Sequence, residues 1–526
     1  MRKISLLTIG IGLSLQVLGQ NPVAEKYAKF IDTVDARKHL SILASDEFEG
    51  RETGTPGAEK AANYIAGEFK KLGLKAPVNG SYFQQVPLIE TKFEVSSFLV
   101  NSQAFENGKD FYFSGTPQSQ TIKTNELVFI GYGISSENYD DLKGTDVTGK
   151  IVLLINKGEP VKDGVSAVTK SSETSDWSRS KAKRIQSLLS KNPAAILAVS
   201  PDVDPLLKKY PGYFTEGRLS LKKESSETEK AKTPIINITP EVADKLLQST
   251  GKSYESLKAA IDNSGKPATQ VVKADFSTSF GLQNRDVTAV NVLGYLEGKD
   301  LKNELVVVSA HYDHIGLTNE GTDKVNNGAD DDGSGTTGIL EIARAFSKAK
   351  AEGKGPRRSI LFLGNVGEEK GLLGSEWYSE HPVFPLENTI TNLNIDMIGR
   401  VDSVHQSNPN YCYLIGSDKL STDLHKISEK ANATYTKLDL DYKYNDPNDP
   451  ERIYYRSDHY NFAKHNIPII FYFNGVHEDY HKPSDEISKI RFDLLVKRAR
   501  LVFYTCWDLV NRDKRPVVDK KTDMAE

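Results

Sequence analysis

Cysteine is nearly absent from this chain. Cys412 and Cys506 are the only two in 526 residues, so no disulfide framework supports the fold and no thiolate metal site can be assembled. Charge of one sign is lacking as well. The 67 Lys and Arg stand against 71 Asp and Glu, for a net charge of −4, which excludes the global basic field of a nucleic-acid binder. Beyond the first twenty residues no apolar run is long enough to cross a bilayer, so no membrane span is expected. What remains is 38% hydrophobic and 26% charged, the composition of a globular protein long enough for two or three domains.

The start of the chain, MRKISLLTIGIGLSLQVLGQ, places Arg2 and Lys3 before an apolar run from Ile4 to Leu18, followed by Gly19. This pattern predicts a cleaved signal peptide over residues 1–19 and therefore an exported protein, periplasmic or secreted. Residues 20–114 read as a first block, with helical periodicity from Val34 to Phe69 interrupted by the loop Ser45–Gly57. Between residues 115 and 270 lie strand-like runs such as ELVFIGYGI and GKIVLLIN, with no cluster of histidines or paired acids. That block is expected to be a smaller, β-rich, non-catalytic insert. Residues 271–515 alternate short apolar strands with helices, which predicts an α/β fold: a mostly parallel mixed sheet with helices on both faces. A polar tail, 516–526, follows.

One stretch poses the chemical question. GADDDGSGTTG, Gly328–Gly338, contains G-x-G-x-x-G, but three acids precede it where a dinucleotide loop would need an apolar strand. It also fails as a calcium loop. With Gly333 at position 6, position 1 is Gly328 and position 12 is Ile339, so two key ligands are missing.

The answer lies at the strand ends, where α/β sheets place their sites. LVVVSA runs into HYDHIG with His311 and Asp313, and SILFLGN runs into VGEEKG with Glu368 and Glu369. TNLNID ends on Asp396, and IPIIFYF leads to His477 and His481. Singly, each is an ordinary surface acid or hydrogen-bonded histidine. Together at one sheet edge, the acids would repel one another unless a cation filled the gap. Imidazoles and carboxylates without thiolates suit Zn²⁺, with Mn²⁺ or Co²⁺ possible, and these candidates are too many for one ion but suit two sharing a carboxylate.

The motifs AHYDHIG…NNGADDDGSG, NVGEEKGLLGS, NIDMIG, RSDHYNFAKHNIP and HEDYHKPSDE resemble the co-catalytic zinc peptidases of the bacterial leucyl aminopeptidase and glutamate carboxypeptidase type. LASDEFEGRETGTPGAEKAANYI resembles an early segment of the same family, and VFIGYGI with GTDVTGKIVLLI resembles a protease-associated (PA) domain. The resemblance implies two Zn²⁺ per chain. One would be bound by His311 and Asp396, the other by Glu369 and His481, with Asp331 bridging both. It implies Glu368 as general base and Asp313 as the partner of His311. Tyr454, Tyr455, Arg456 and Ser457 would shape the substrate pocket, with a Tyr454 or Tyr455 hydroxyl available to an oxyanion. The expected activity is hydrolysis of the N-terminal bond of peptides, by a water held between the metals. A carboxypeptidase or dipeptidase of the same family is the alternative. A receptor-like member would need lost ligands, and a glutaminyl cyclase-like transferase would not need the full dizinc set.

Overall fold

The computed structural model describes residues 20–210, 212–222 and 232–521. The expected signal peptide lies outside the described residues, as do residues 522–526 of the expected tail. Among the described residues no helix is long and apolar enough to cross a membrane. The chain divides into two compact units, one formed by residues 1–88 and 287–526 and the other by residues 89–286.

In the first unit a central sheet runs in the order Asp439–Asp441, Tyr411–Ile415, Ile469–Phe473, Thr389–Ile395, Leu301–His311, Arg358–Asn365 and the end of Gln270–Leu296. Four of its pairings are parallel and two antiparallel, so the sheet is mixed and mostly parallel. The strands Arg358–Asn365, Thr389–Ile395 and Ile469–Phe473 are buried at every position. Helices on both faces account for that burial. Leu305, Val307, Leu361 and Leu363 pack with Tyr378 and Phe462 on one face. On the other, Phe362 meets Phe69 at 6.3 Å between ring centroids, a contact of helix Pro56–Lys71. The crossover between the parallel neighbours Leu301–His311 and Arg358–Asn365 is helix Gly333–Ala351, whose Phe346 packs on Phe503 and Trp507 of helix Phe492–Asn511.

The insert expected over residues 115–270 is wider in the structure. Strand Phe111–Phe113 pairs with Ile235–Ile238, and residues up to Phe280 of strand Gln270–Leu296 pair with Gln120–Phe129. Chain on both sides of the expected limits therefore supplies strands to this unit's sheet. The sheet is itself α/β: Gln120–Phe129, Ile151–Ile155, Ala195–Val199 and Ile235–Ile238 run parallel, and helices such as Pro240–Leu247 and Tyr254–Ser264 bury Leu246, Leu247, Leu257 and Ile261 in its core.

Candidate metal centre

Four strands of the first unit deliver the site. His311 ends Leu301–His311, and Asp396 follows Thr389–Ile395. Glu368 and Glu369 lie in a turn after Arg358–Asn365, which Gly367 enters at φ 73°. His481 sits beyond Ile469–Phe473, and Asp331 occupies the loop before helix Gly333–Ala351.

The side chains converge. His311 Nε2 is 3.4 Å from Asp331 Oδ1 and 3.6 Å from Asp396 Oδ2. His481 Nε2 is 3.1 Å from both Asp331 Oδ2 and Glu369 Oε2. Among the described residues neither His481 Nε2 nor Asp331 Oδ2 makes a well-aligned hydrogen bond, although both atoms are shielded from solvent. Around a tetrahedral zinc with bonds of about 2.0–2.2 Å, neighbouring ligand atoms stand about 3.3–3.5 Å apart. The observed separations of 3.1–3.6 Å match that edge, and Asp331 turns one oxygen toward each histidine. The donor set therefore fits two cations sharing Asp331.

Electrostatics point the same way. Burial works to lower His311, yet Glu368 and Asp396 raise it well above the usual imidazole range. Burial likewise works to lower His481, and Asp331 with Glu369 pushes it up to about 10. The pocket thus draws positive charge strongly, which protons or metal ions can supply. Burial raises Glu368 well above the usual carboxyl range; Glu369, Asp396 and Asp458 add to the rise and His311 opposes it. Its Oε2 stands 3.9 Å from His311 Nε2, farther than the ligand set.

The surroundings fix these atoms. His311 Nδ1 lies 3.0 Å from the backbone carbonyl of Asp313, while the Asp313 carboxylate is 3.9 Å away. The expected carboxylate–imidazole partnership is thus made by the main chain, because the extended geometry ends at His311. The Asp313 carboxylate instead accepts from Thr53 Oγ1 at 2.7 Å and from the Glu368 amide at 3.3 Å. Asp332 caps the helix through Gly335 N and also accepts from Met397 N. Asp485 Oδ2 accepts the amides of Asp330 and Asp331. The fully buried Arg51 donates to the carbonyls of Tyr312, Leu43, Asn327 and Gly328, tying the strand end to the acidic loop. Met397 and His481 both adopt positive φ, 56° and 57°, a conformation that costs a non-glycine residue about 1 kcal/mol or more and clusters at functional sites.

The pocket beside Asp331, Glu368 and Asp396 is lined by Met397, Ile453, Phe471, Phe473, Val476, Tyr480 and Arg456. Of the four residues expected to shape it, Arg456 alone is among the lining residues. Ser457 is fully buried; its hydroxyl donates to Asp396 Oδ2 at 2.7 Å and accepts from Asn394 Nδ2 at 2.9 Å, so it orients an acid instead of meeting substrate. Tyr454 is buried beneath Lys419, and Tyr455 stacks edge-on against it. The tyrosine at the pocket wall is Tyr480, whose ring lies on His481 at 3.8 Å. It adjoins His481 in sequence, the one signal that could have found it. His477, by contrast, faces Asp330 Oδ2 at 3.2 Å in a buried network away from the ligand set.

Residues 291–506 match Peptidase family M28. The chain is 33% identical over 156 residues to a vacuolar membrane protease of Tuber melanosporum, covering 28% of this chain and 14% of that protein. It is 27% identical over 247 residues to aminopeptidase YwaD of Bacillus subtilis, covering 45% and 49%. The chain thus spans less than half the length of either relative. The solved aminopeptidase from Aneurinibacillus sp. strain AM-1 shares the fold at 18% identity, with a TM-score of 0.51 over 95% of this chain and 98% of that one.

Proposed function

We propose that this chain, which carries a Peptidase family M28 domain over residues 291–506, is an exported dizinc exopeptidase that removes N-terminal residues from peptides. The observation that carries the reading is the division of the Asp331 carboxylate, with Oδ1 toward His311 and Oδ2 toward His481. His311, Asp396 and Asp331 would hold one ion, and Glu369, His481 and Asp331 the other. Bound there, the pair supplies Lewis-acid polarisation of the scissile carbonyl and a water of lowered pKa.

The remaining work falls to the chain. Glu368, held in a site that raises its proton affinity, takes a proton from the attacking water and returns it to the leaving amine. Tyr480 faces the same pocket as Glu368, so its hydroxyl is the group available to the carbonyl oxygen as charge develops there. The apolar wall of Met397, Ile453, Phe471, Phe473 and Val476 excludes water and accepts an apolar side chain. Export rests on the N-terminal pattern of Arg2, Lys3 and the run Ile4–Leu18, and the PA-like character of the insert on VFIGYGI and GTDVTGKIVLLI.

A second reading has one observation in its favour. Arg456 lies at the pocket with no carboxylate within ion-pair distance among the described residues; its Nη2 donates to the Tyr480 hydroxyl at 3.4 Å. A substrate carboxylate would find a cation there, as a dipeptidase or carboxypeptidase requires. The test pairs metal analysis with substrates. About two zinc ions per chain are expected, with activity on aminoacyl reporters lost to a chelator and restored by zinc. Activity on free dipeptides but not on their C-terminally blocked forms would select the second reading, and full activity without metal would refute both.

A further inference from the structure

We infer that His314 is a positioning residue for Glu369. Its Nδ1–H engages Glu369 Oε1, leaving Oε2 alone to face His481, and the affinity of the second metal position depends on that hydrogen bond. The inference rests on the dizinc reading above and adds a residue to which that reading gives no part.

His314, Asp331 and Glu369 stand close enough together to share an ion, but the individual distances fit a positioning role better than ligation. His314 Nδ1 is 2.8 Å from Glu369 Oε1 and 3.8 Å from Asp331 Oδ2. Two ligand atoms on one tetrahedral zinc should stand about 3.3–3.5 Å apart, so the first separation is too short and the second too long. A value of 2.8 Å is that of a hydrogen bond to a carboxylate. The proton must then sit on Nδ1, since two lone pairs would repel at this distance. Among the described residues His314 Nε2 is buried without a hydrogen-bond partner. Placing the proton on Nδ1 satisfies the single donor of a neutral imidazole, whereas placing it on Nε2 would strand a buried N–H at a cost of about 1–3 kcal/mol.

The ring has no freedom to leave. His314 is fully buried, and its amide donates to the Arg51 carbonyl at 3.2 Å. A Cβ built on Gly328 would fall 2.5 Å from His314 Cδ2, so the loop leading to Asp331 closes directly onto the ring. The ring of His481 stands edge-on to it at 5.6 Å. Glu369 therefore has each oxygen assigned, Oε1 to His314 at 2.8 Å and Oε2 toward His481 at 3.1 Å. A carboxylate with both oxygens free could rotate or bind an ion through either one, and the His314 hydrogen bond removes that choice.

The test measures zinc alone, by stoichiometry and chelator-competition titration, on the full chain and four variants. Glu369→Gln is expected to lose one ion. His314→Ala should weaken one of the two ions by about 10- to 100-fold, the usual effect of removing such a partner, and leave the other unchanged. His314→Asn, whose amide nitrogen stands where Nδ1 stood, should recover most of the loss, and His314→Gln, whose amide reaches one bond further, should not. Wild-type affinity for both ions in His314→Ala, alongside a lost ion in Glu369→Gln, overturns the inference. So does an ion lost equally in the Ala, Asn and Gln variants, which would make His314 a ligand. If His314→Ala fails to fold, the Asn and Gln variants decide alone, and equal affinities refute it. Two tightly held ions in Glu369→Gln would instead refute the dizinc reading itself.

Discussion

Under the proposed mechanism, Glu368→Gln separates proton transfer from metal binding at adjacent, chemically identical residues. Glu368 Oε2 lies 3.9 Å from His311 Nε2, outside the 3.1–3.6 Å spacing of the ligand set. The turn that carries it is built from its main chain: its amide donates to Asp313, and its carbonyl accepts from Gly371 and Leu372. A glutamine of the same shape therefore disturbs neither ligands nor backbone. What it loses is the ability to hold a proton, in a site where burial has raised that ability well above the ordinary carboxyl range. General acid–base help amounts to about 10²- to 10⁴-fold, or about 2.7–5.4 kcal/mol at 1.36 kcal/mol per decade. The expected result is kcat on an aminoacyl reporter reduced by that factor, with KM within about threefold and the zinc content unchanged. A rate within tenfold of wild type, or the loss of a zinc ion, would refute the assignment of Glu368 as proton carrier.

Two further outcomes follow from single contacts. Ser457→Ala removes the 2.7 Å hydrogen bond to Asp396 Oδ2 and should weaken zinc at the His311 position by about tenfold or more, read by chelator competition; unchanged affinity at both positions would count against its role. In the 89–286 unit, burial pushes the Asp141 carboxyl up to about 7 despite hydrogen bonds from Ile134, Tyr139 and Tyr132. The unfolded value is near 3.9, so the folded state holds this proton more tightly. The favourable contribution is complete below about pH 4 and is lost as pH rises through about 7. Hydrogen exchange at the Tyr132 and Ile134 amides should therefore quicken, beyond the intrinsic pH effect, between pH 5 and 8. Protection that does not change over that range would refute it.

Much of this protein is legible in its sequence. The runs LVVVSA, SILFLGN and IPIIFYF are apolar at most positions, which marks strands covered on both faces, whereas TNLNID has only Leu393 and Ile395. The rule that chemistry collects at the carboxyl ends of such strands pointed to His311, Asp313, Glu368, Glu369, Asp396, His477 and His481, and the family resemblance added Asp331. The structure brings His311, Asp331, Glu368, Glu369, Asp396 and His481 together and sets His477 against Asp330 instead. The limits of the insert were harder to read. Strands Phe111–Phe113 and Gln270–Leu296 find their partners far along the chain, and local periodicity carries no information about pairing.

The partners of the candidate ligands were decided by tertiary structure alone. Ser457 is expected at the pocket only through the family motif it shares with Tyr454, Tyr455 and Arg456, yet its hydroxyl turns inward to Asp396, 61 positions away. His314 of HYDHIG is set by the fold against Glu369, 55 positions on. Asp485 gains its role by accepting two amides from a loop more than 150 positions earlier. Side-chain type and strand-end position are properties of a local segment, so the sequence determines which groups can bind a metal. Which carboxylate oxygen is left free depends on hydrogen bonds between segments whose separation is set only when the sheet assembles.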